Sequence, residues 1–252
     1  MLLSVRGLGM SFDGFAAVSD ANLEIAERAI IGLIGPNGAG KSTFFNCLAG
    51  DLMPTSGKVL FDDADITHAS PEEHARLGIG RTFQVPATFQ ELTILENVMV
   101  GAFLRHSGER EARAEAERVL ELTGLAGLAG KKAGTLGTPG RKRLEIARVM
   151  ATRPRLVLLD EALAGLTATE VHQAIELVRA IHRTGVTLVI VEHVMEVILT
   201  LAERIVVFNQ GRVIAHGAPS EVVNDPAVID AYLGRSHARR AATGAGPSRG
   251  RA

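Results

Sequence analysis

The chain has 252 residues, 46% of them hydrophobic and only 4% aromatic, with a formal net charge of −1. An aliphatic-rich, near-neutral composition excludes a disordered chain, and it offers no global basic field to hold nucleic acid or anionic lipid. Its one cysteine, Cys47, excludes an internal disulfide framework, and no apolar run approaches the ~18 residues needed to cross a bilayer.

The N-terminal stretch MLLSVRGLGMSFDG lacks a charged segment followed by a long apolar core, so no secretion signal is expected. The segment Asn22-Leu-Glu-Ile alternates apolar and polar, as a half-exposed strand does. Ala29–Ile34 is continuously apolar and predicts a strand buried on both faces. Cys47 falls in the apolar helix after it and reads as a small buried hydrophobe. Ser70, Pro71 and Glu73 place a cap, a first-turn proline and a capping-box acid in order. Thr93 with Glu96 and Thr167 with Glu170 repeat the box. A further helix is predicted over Glu109–Leu122, closed by Gly124. Two more buried strands are predicted at Leu156–Leu159 and Val186–Val191, and a hairpin at Ile205–Phe208 and Arg212–Ala215. Buried strands alternating with helices imply a largely parallel sheet covered on both faces. Residues from about Pro86 to Ala151 contain no convincing strand and read as a helical insert. The tail from Arg235 is rich in Arg, Ala, Gly and Ser and reads as a disordered basic end.

The strongest chemical signal is Gly35-Pro-Asn-Gly-Ala-Gly-Lys41-Ser42, which fits G-x-x-x-x-G-K-[ST] between a buried strand and a helix. Gly38 and Gly40 let the backbone curl so that successive N–H groups face one anion, and the following helix adds its positive end. Lys41 reaches β- and γ-phosphates, the Ser42 hydroxyl can ligate Mg²⁺, and Thr43 can bond an α-phosphate oxygen. Leu156-Val-Leu-Leu-Asp160-Glu161 ends an apolar strand on two carboxylates. Asp160 suits a Mg²⁺ site and Glu161 a general base for water. His193 follows the next buried strand, where it can meet a γ-phosphate or the attacking water. Gln84, in Arg81-Thr-Phe-Gln84, can both donate and accept, and so can bind Mg²⁺ or place water.

Together these motifs resemble the ATP-binding cassette (ABC) proteins over about residues 2–234. The resemblance implies an α/β fold, with a P-loop NTPase core, an antiparallel β sub-domain and a helical insert at about 86–151. It also implies an ATPase using ATP and Mg²⁺. Gly35, Pro36, Asn37, Gly38, Ala39, Gly40, Lys41, Ser42 and Thr43 then form the Walker A loop, and Asp160 with Glu161 the Walker B pair. Gln84 is the Q-loop glutamine, His193 the switch histidine, and Phe12 the aromatic that stacks on adenine. By this resemblance Glu161, His193 and Gln84 are catalytic, and Ser42, Gln84 and Asp160 hold the metal. Gly80–Gln84, Leu92–Gly101, Leu144–Arg148 and Val228–Gly234, ending Tyr-Leu-Gly, are similar to the branched-chain amino-acid importer subgroup. That subgroup implies a second cassette docked head to tail, either a different chain or a copy of this one. It further implies two membrane-spanning permease subunits, a solute-binding protein reached through them, and no nucleic acid. The expected location is the cytoplasmic face of the inner membrane.

One segment departs from the family pattern. Where a signature close to L-S-G-G-Q is usual, the chain has Leu136-Gly-Thr-Pro-Gly140. Gly137 lacks the serine hydroxyl and Pro139 has no N–H. The expectation is an asymmetric pair in which a different second cassette supplies a better signature. Ala162 stands where the family often has proline, and Thr167 where Asp or Asn is usual. The competing classes are a soluble non-transport ABC ATPase and a regulatory nucleotide binder. The first usually carries tandem cassettes, coiled coils or metal cysteines, which the sequence lacks; Glu161 and His193 argue against the second.

Overall fold

A computed structural model of the protein describes residues 1–232; the expected tail at 235–252 lies outside the described residues. The chain runs β1 (Leu3–Phe12), β2 (Phe15–Ile25), β3 (Ile30–Ile34), α1 (Lys41–Ala49), β4 (Ser56–Phe61), β5 (Ala64–Asp65), α2 (Pro71–Leu77) and β6 (Ile79–Arg81). Then come α3 (Ile94–Ala102), α4 (Glu109–Leu122), α5 (Thr138–Ala151), β7 (Leu156–Asp160), α6 (Ala168–Arg183) and β8 (Thr187–Val191). The last named elements are α7 (Met195–Leu201), β9 (Arg204–Asn209), β10 (Arg212–Gly217) and α8 (Pro219–Val222).

Two sheets organise these elements. One is antiparallel, ordered β2-β1-β4-β5. The other has six strands ordered β10-β9-β3-β8-β7-β6, in which all the pairings are parallel except β9 with β10. The continuous apolar runs are fully buried in β3, β7 and β8, as strands covered on both faces must be. Successive side chains then enter different cores. Ile30, Ile34, Val157, Leu159, Leu188 and Ile190 pack with the helices that include α3, α4 and α5. Ile31, Leu33, Leu156, Leu158, Val189 and Val191 pack against α1 and the antiparallel sheet. The six-stranded sheet is thus the middle layer of three.

The predicted helix starts are all present. Ser70, Thr93 and Thr167 each cap a helix and complete a capping box with Glu73, Glu96 and Glu170. Helix α4 has the predicted bounds, and Gly124 closes it at φ +68°. Among the described residues, 86–151 contain no strand: α3, α4 and α5 pack on one another there. Buried Glu115 of α4 ties this group together by accepting from Arg118 and from Arg153, which follows α5. Cys47 is buried, which pushes its thiol up to about 11 and leaves it inert. The β9–β10 turn places Gln210 and Gly211 both at positive φ, the twist a two-residue hairpin favours.

Sequence patterning reveals only the end of β2 and does not reveal β1. The reason is visible in the register, which shifts between Val5 and Leu8, between Leu8 and Met10, and again before Ser11. Each irregularity resets the two-residue alternation by which a strand is recognised.

Candidate functional site

Strands β6, β7, β8 and β3 lie side by side and parallel, so their carboxyl ends share one edge of the sheet. In open α/β sheets that edge binds ligands. The Gly35–Gly40 loop leaves β3, Asp160 ends β7 with Glu161 next, His193 lies two residues beyond β8, and Gln84 three beyond β6.

The loop after β3 is shaped by what surrounds it. A Cβ on Gly35 would run into the Phe208 carbonyl, and one on Gly40 into the Ala17 carbonyl. Both positions also have positive φ, so a side chain is excluded twice. Gly211 strengthens the cradle by donating to the Ala39 carbonyl at 2.9 Å. Gly40 is the N-cap of α1, and no side chain caps that end. Lys41 is buried, and its Nζ donates to the carbonyls of Gly35 (2.8 Å) and Pro36 (3.1 Å). A cation therefore arches over its own glycine loop, beside a helix end that favours negative charge.

The acidic half of the site is held as closely. Glu161 sits at φ +46° directly after β7, and its N–H donates to the Val191 carbonyl at 2.9 Å. Its Oε2 accepts from Gln84 Nε2 at 2.7 Å, and its Oε1 lies 2.8 Å from His193 Nε2. Three residues from three separate loops thus meet at one carboxylate. Asp160 is buried beside them, with Arg81 at 3.5 Å. Burial pushes the Asp160 carboxyl above its ordinary value; the charges of Arg81, His193 and Lys41 oppose that, while Glu161 adds to it. The glycine loop and the acidic half therefore lie within electrostatic reach of each other.

Ser42, Gln84 and Asp160 line one open cleft of about 450 Å³, together with Asn46 and Arg81. A hydroxyl, an amide and a carboxylate supply the hard oxygen donors that Mg²⁺ takes when substrate phosphates complete its shell. Among the described residues no group of three His, Cys, Asp or Glu could hold a metal alone. The donor set fits a cation that arrives with phosphates. Phe12 ends β1, half-exposed at the β1–β2 turn, where it pairs in register with the more exposed Phe15. Thr43 lies on α1, partly buried.

Further from the carboxylates, Gly137 caps α5 without a side-chain hydrogen bond and Pro139 lies in the first turn. The 83–90 segment is pinned from behind. Glu145 accepts from the Phe83 and Ala87 amides, Asn97 brackets Phe89 through both backbone groups at 2.9 Å, and Arg148 stacks on the Phe89 ring and donates to the Ala87 carbonyl. Its apolar side chains stay outside, with Val85 78% and Phe89 46% exposed.

A family model described as ABC transporter matches residues 18–164. The chain belongs to the ABC transporter family. A second model, described as branched-chain amino acid ATP-binding cassette transporter, matches residues 212–238 of the cassette. The cassette is 41% identical to the high-affinity branched-chain amino acid transport ATP-binding protein LivG of Escherichia coli strain K12, over 93% of this chain and 98% of that one. It superposes with a TM-score of 0.84 on an ATP-binding cassette of an ABC transporter in its ADP conformation, at 30% identity, covering 92% of this chain and 98% of the other. It also resembles a dimeric cassette in a post-hydrolysis state bound to ADP and Pi, with a TM-score of 0.78 and 26% identity over 86% of this chain and 99% of that one. The α/β architecture expected from the motifs is that of these cassettes.

Several residues of the cassette's site carry little or no mark in the sequence. Arg81 joins α1 to the acidic half: it bonds Asn46 at 3.0 Å, pairs with Asp51, and lies over the rings of Phe45 and Phe83. Thr82 lies inside the Gly80–Gln84 motif with no role read for it there, yet its hydroxyl accepts the Asp160 N–H at 3.1 Å. Lys142 of α5 and Glu192, between β8 and His193, are buried beneath the Glu161 loop. Burial pushes Lys142 below and Glu192 above its ordinary value. Only Glu192 carries a usable signal, an acid directly after a buried strand, as Glu161 is. Tyr232, from the Tyr-Leu-Gly ending, lies against the Gly35 backbone; burial raises its phenol and a hydrogen bond from Gly35 opposes that.

Proposed function

We propose that the cassette binds ATP with Mg²⁺, hydrolyses it, and thereby powers uptake of branched-chain amino acids or a related small solute. The observation that carries hydrolysis is the Glu161 carboxylate, bonded on one oxygen by Gln84 and on the other by His193. A carboxylate so oriented can take a proton from water, and an imidazole bonded to it can stabilise developing charge nearby. The Gly35–Gly40 loop and Lys41 bind the phosphates, Ser42, Asp160 and Gln84 hold the cation, Thr43 reaches an α-phosphate oxygen, and Phe12 stacks on the base. Mg²⁺ held there would supply positive charge to offset that of the phosphates. Likeness to LivG and to the branched-chain family description supports the solute class. The test is uptake: deleting this cassette should abolish accumulation of labelled leucine, isoleucine and valine, and the intact chain should restore it while Glu161→Gln should not. Unchanged uptake of all three would assign another solute.

Residues 86–151 serve as a helical sub-domain of one ABC domain, 1–234, and carry the contact with two permease subunits. No helix among the described residues is long and apolar enough to cross a membrane. The cassette then works at the cytoplasmic face, held there by its permeases. Phe89 and Val85, exposed on a segment pinned from behind, are suited to receive a short partner helix. Phe89→Asp and Val85→Asp should each reduce co-purification of the permeases at least tenfold and leave affinity for ATP within about twofold. Undiminished assembly in both variants would place the contact elsewhere.

A second cassette completes each nucleotide site. The start of α5 supports a different chain in that role: Gly137 offers no hydroxyl and Pro139 no N–H to a γ-phosphate. This chain's weak signature faces the partner's nucleotide, whereas its own Lys41 and Glu161 serve the site that the partner's signature completes. The competent site is then the one built on this chain.

A further inference from the structure

The loop Glu161–Ala164 is gripped by two buried ionisable side chains that take no part in the chemistry described above. Lys142, 8% exposed, lies one turn into α5 and donates from Nζ to the Glu161 carbonyl at 3.0 Å and to the Ala164 carbonyl at 2.6 Å. Glu192, 3% exposed, accepts the Leu163 N–H on Oε1 at 2.7 Å. With the bond from Glu161 N–H to Val191, every residue of the loop except Ala162 is tied by a named contact to α5 or to the end of β8. Two features call for such a grip. Glu161 occupies a left-handed conformation that a non-glycine residue adopts at a cost, so surrounding bonds must hold it there. Glu192 is a buried carboxylate, a desolvation cost that a neutral side chain would avoid.

We propose that Lys142 and Glu192 are positioning residues: they hold the Glu161–Ala164 backbone so that the Glu161 carboxylate meets Gln84 and His193. This rests on the reading of Glu161 as the general base. Lys142 thereby fixes the Glu161 loop to α5, the helix whose first turn carries Gly137 and Pro139.

The test is a double-mutant cycle on the assembled two-cassette complex, with Lys142→Met, Glu192→Gln and the pair combined. Misplacing a reacting group by about 1 Å costs up to roughly 100-fold in rate. Each single variant should lower kcat about 10–100-fold with KM for ATP and affinity for a fluorescent ADP within about threefold. In the isolated chain, the His193 imidazole resonances should shift in each variant, because their Glu161 partner moves. Lys142→Met strands a buried carboxylate and should lower Tm; the combined variant removes both charges and should restore Tm without restoring kcat. Lys142→Arg, which keeps a donor, should recover part of kcat. If the combined variant regains both Tm and kcat, the pair is a stabilising ion pair only and the proposal fails. It fails equally if Lys142→Met keeps wild-type kcat, or if the His193 resonances do not move. Glu161→Gln is run alongside: turnover surviving in that variant would sink the general-base reading itself, whatever the pair does.

Discussion

ATP turnover by the assembled transporter is expected to fall roughly 10²–10⁴-fold when Glu161 is replaced by Gln, the usual cost of losing a general base. The amide keeps the side chain's length and one acceptor oxygen, so the bond to Gln84 or His193 can survive while the carboxylate's basicity is lost. Affinity for ATP should stay within about twofold, because the loop, Lys41 and the cation-binding oxygens are untouched. The variant therefore traps bound nucleotide instead of losing it. The weak signature makes this prediction directional. In the proposed pair, the site built on this chain's Lys41 and Glu161 is completed by the partner's signature, whereas the partner's site is completed by the α5 start of this chain, where Gly137 and Pro139 lie. The corresponding substitution in the partner cassette should cost less than twofold. Single-turnover and steady-state ATPase measurements on both mutant complexes decide it. Equal losses from the two substitutions would refute the asymmetry, and retention of turnover with Glu161→Gln would remove Glu161 from the chemistry.

Lys41→Ala is expected to act on binding itself. The ammonium is buried and bonds two carbonyls of its own loop, Gly35 and Pro36, so it clasps the loop's curl in addition to its proposed role as a ligand for phosphate. A charge-assisted hydrogen bond contributes about 1.5–3 kcal/mol. Loss of one alone weakens binding roughly 10–100-fold, and release of the clasp adds to it. Titration with a fluorescent ADP should report a rise in Kd of that size or greater, with the isolated chain still folded by circular dichroism. A Kd within twofold of wild type would mean that Lys41 does not touch phosphate. The two variants separate binding from chemistry: one should lose nucleotide and the other should hold it.

The residues behind both predictions, Lys41 and Glu161, are legible in the sequence because their signals are local. The glycine loop, its lysine and its hydroxyl are contiguous. Gly35 and Gly40 are glycine because neighbouring carbonyls leave no room for a Cβ. The buried runs of β3, β7 and β8, the three capping boxes and the β9–β10 turn are likewise short-range patterns. What obscures β1 is also local, a set of register shifts that breaks alternation.

The sequence by itself thus determined the phosphate loop, the acidic strand end, the helix starts and, through them, the family. Tertiary structure alone decided which distant residues meet. Gln84 and Glu161 are 77 positions apart and His193 is 32 beyond Glu161. They touch because β6, β7 and β8 are adjacent and parallel, and strand order is set by how two cores close around the sheet. Lys142 and Glu192 belong mainly to this second kind. A lysine on a helix carries no local mark of burial, and an acid after a strand does not say what it will hold. Packing α5 against the end of β7 makes them a grip on the catalytic loop, since a buried charge must find its partners wherever the fold puts them.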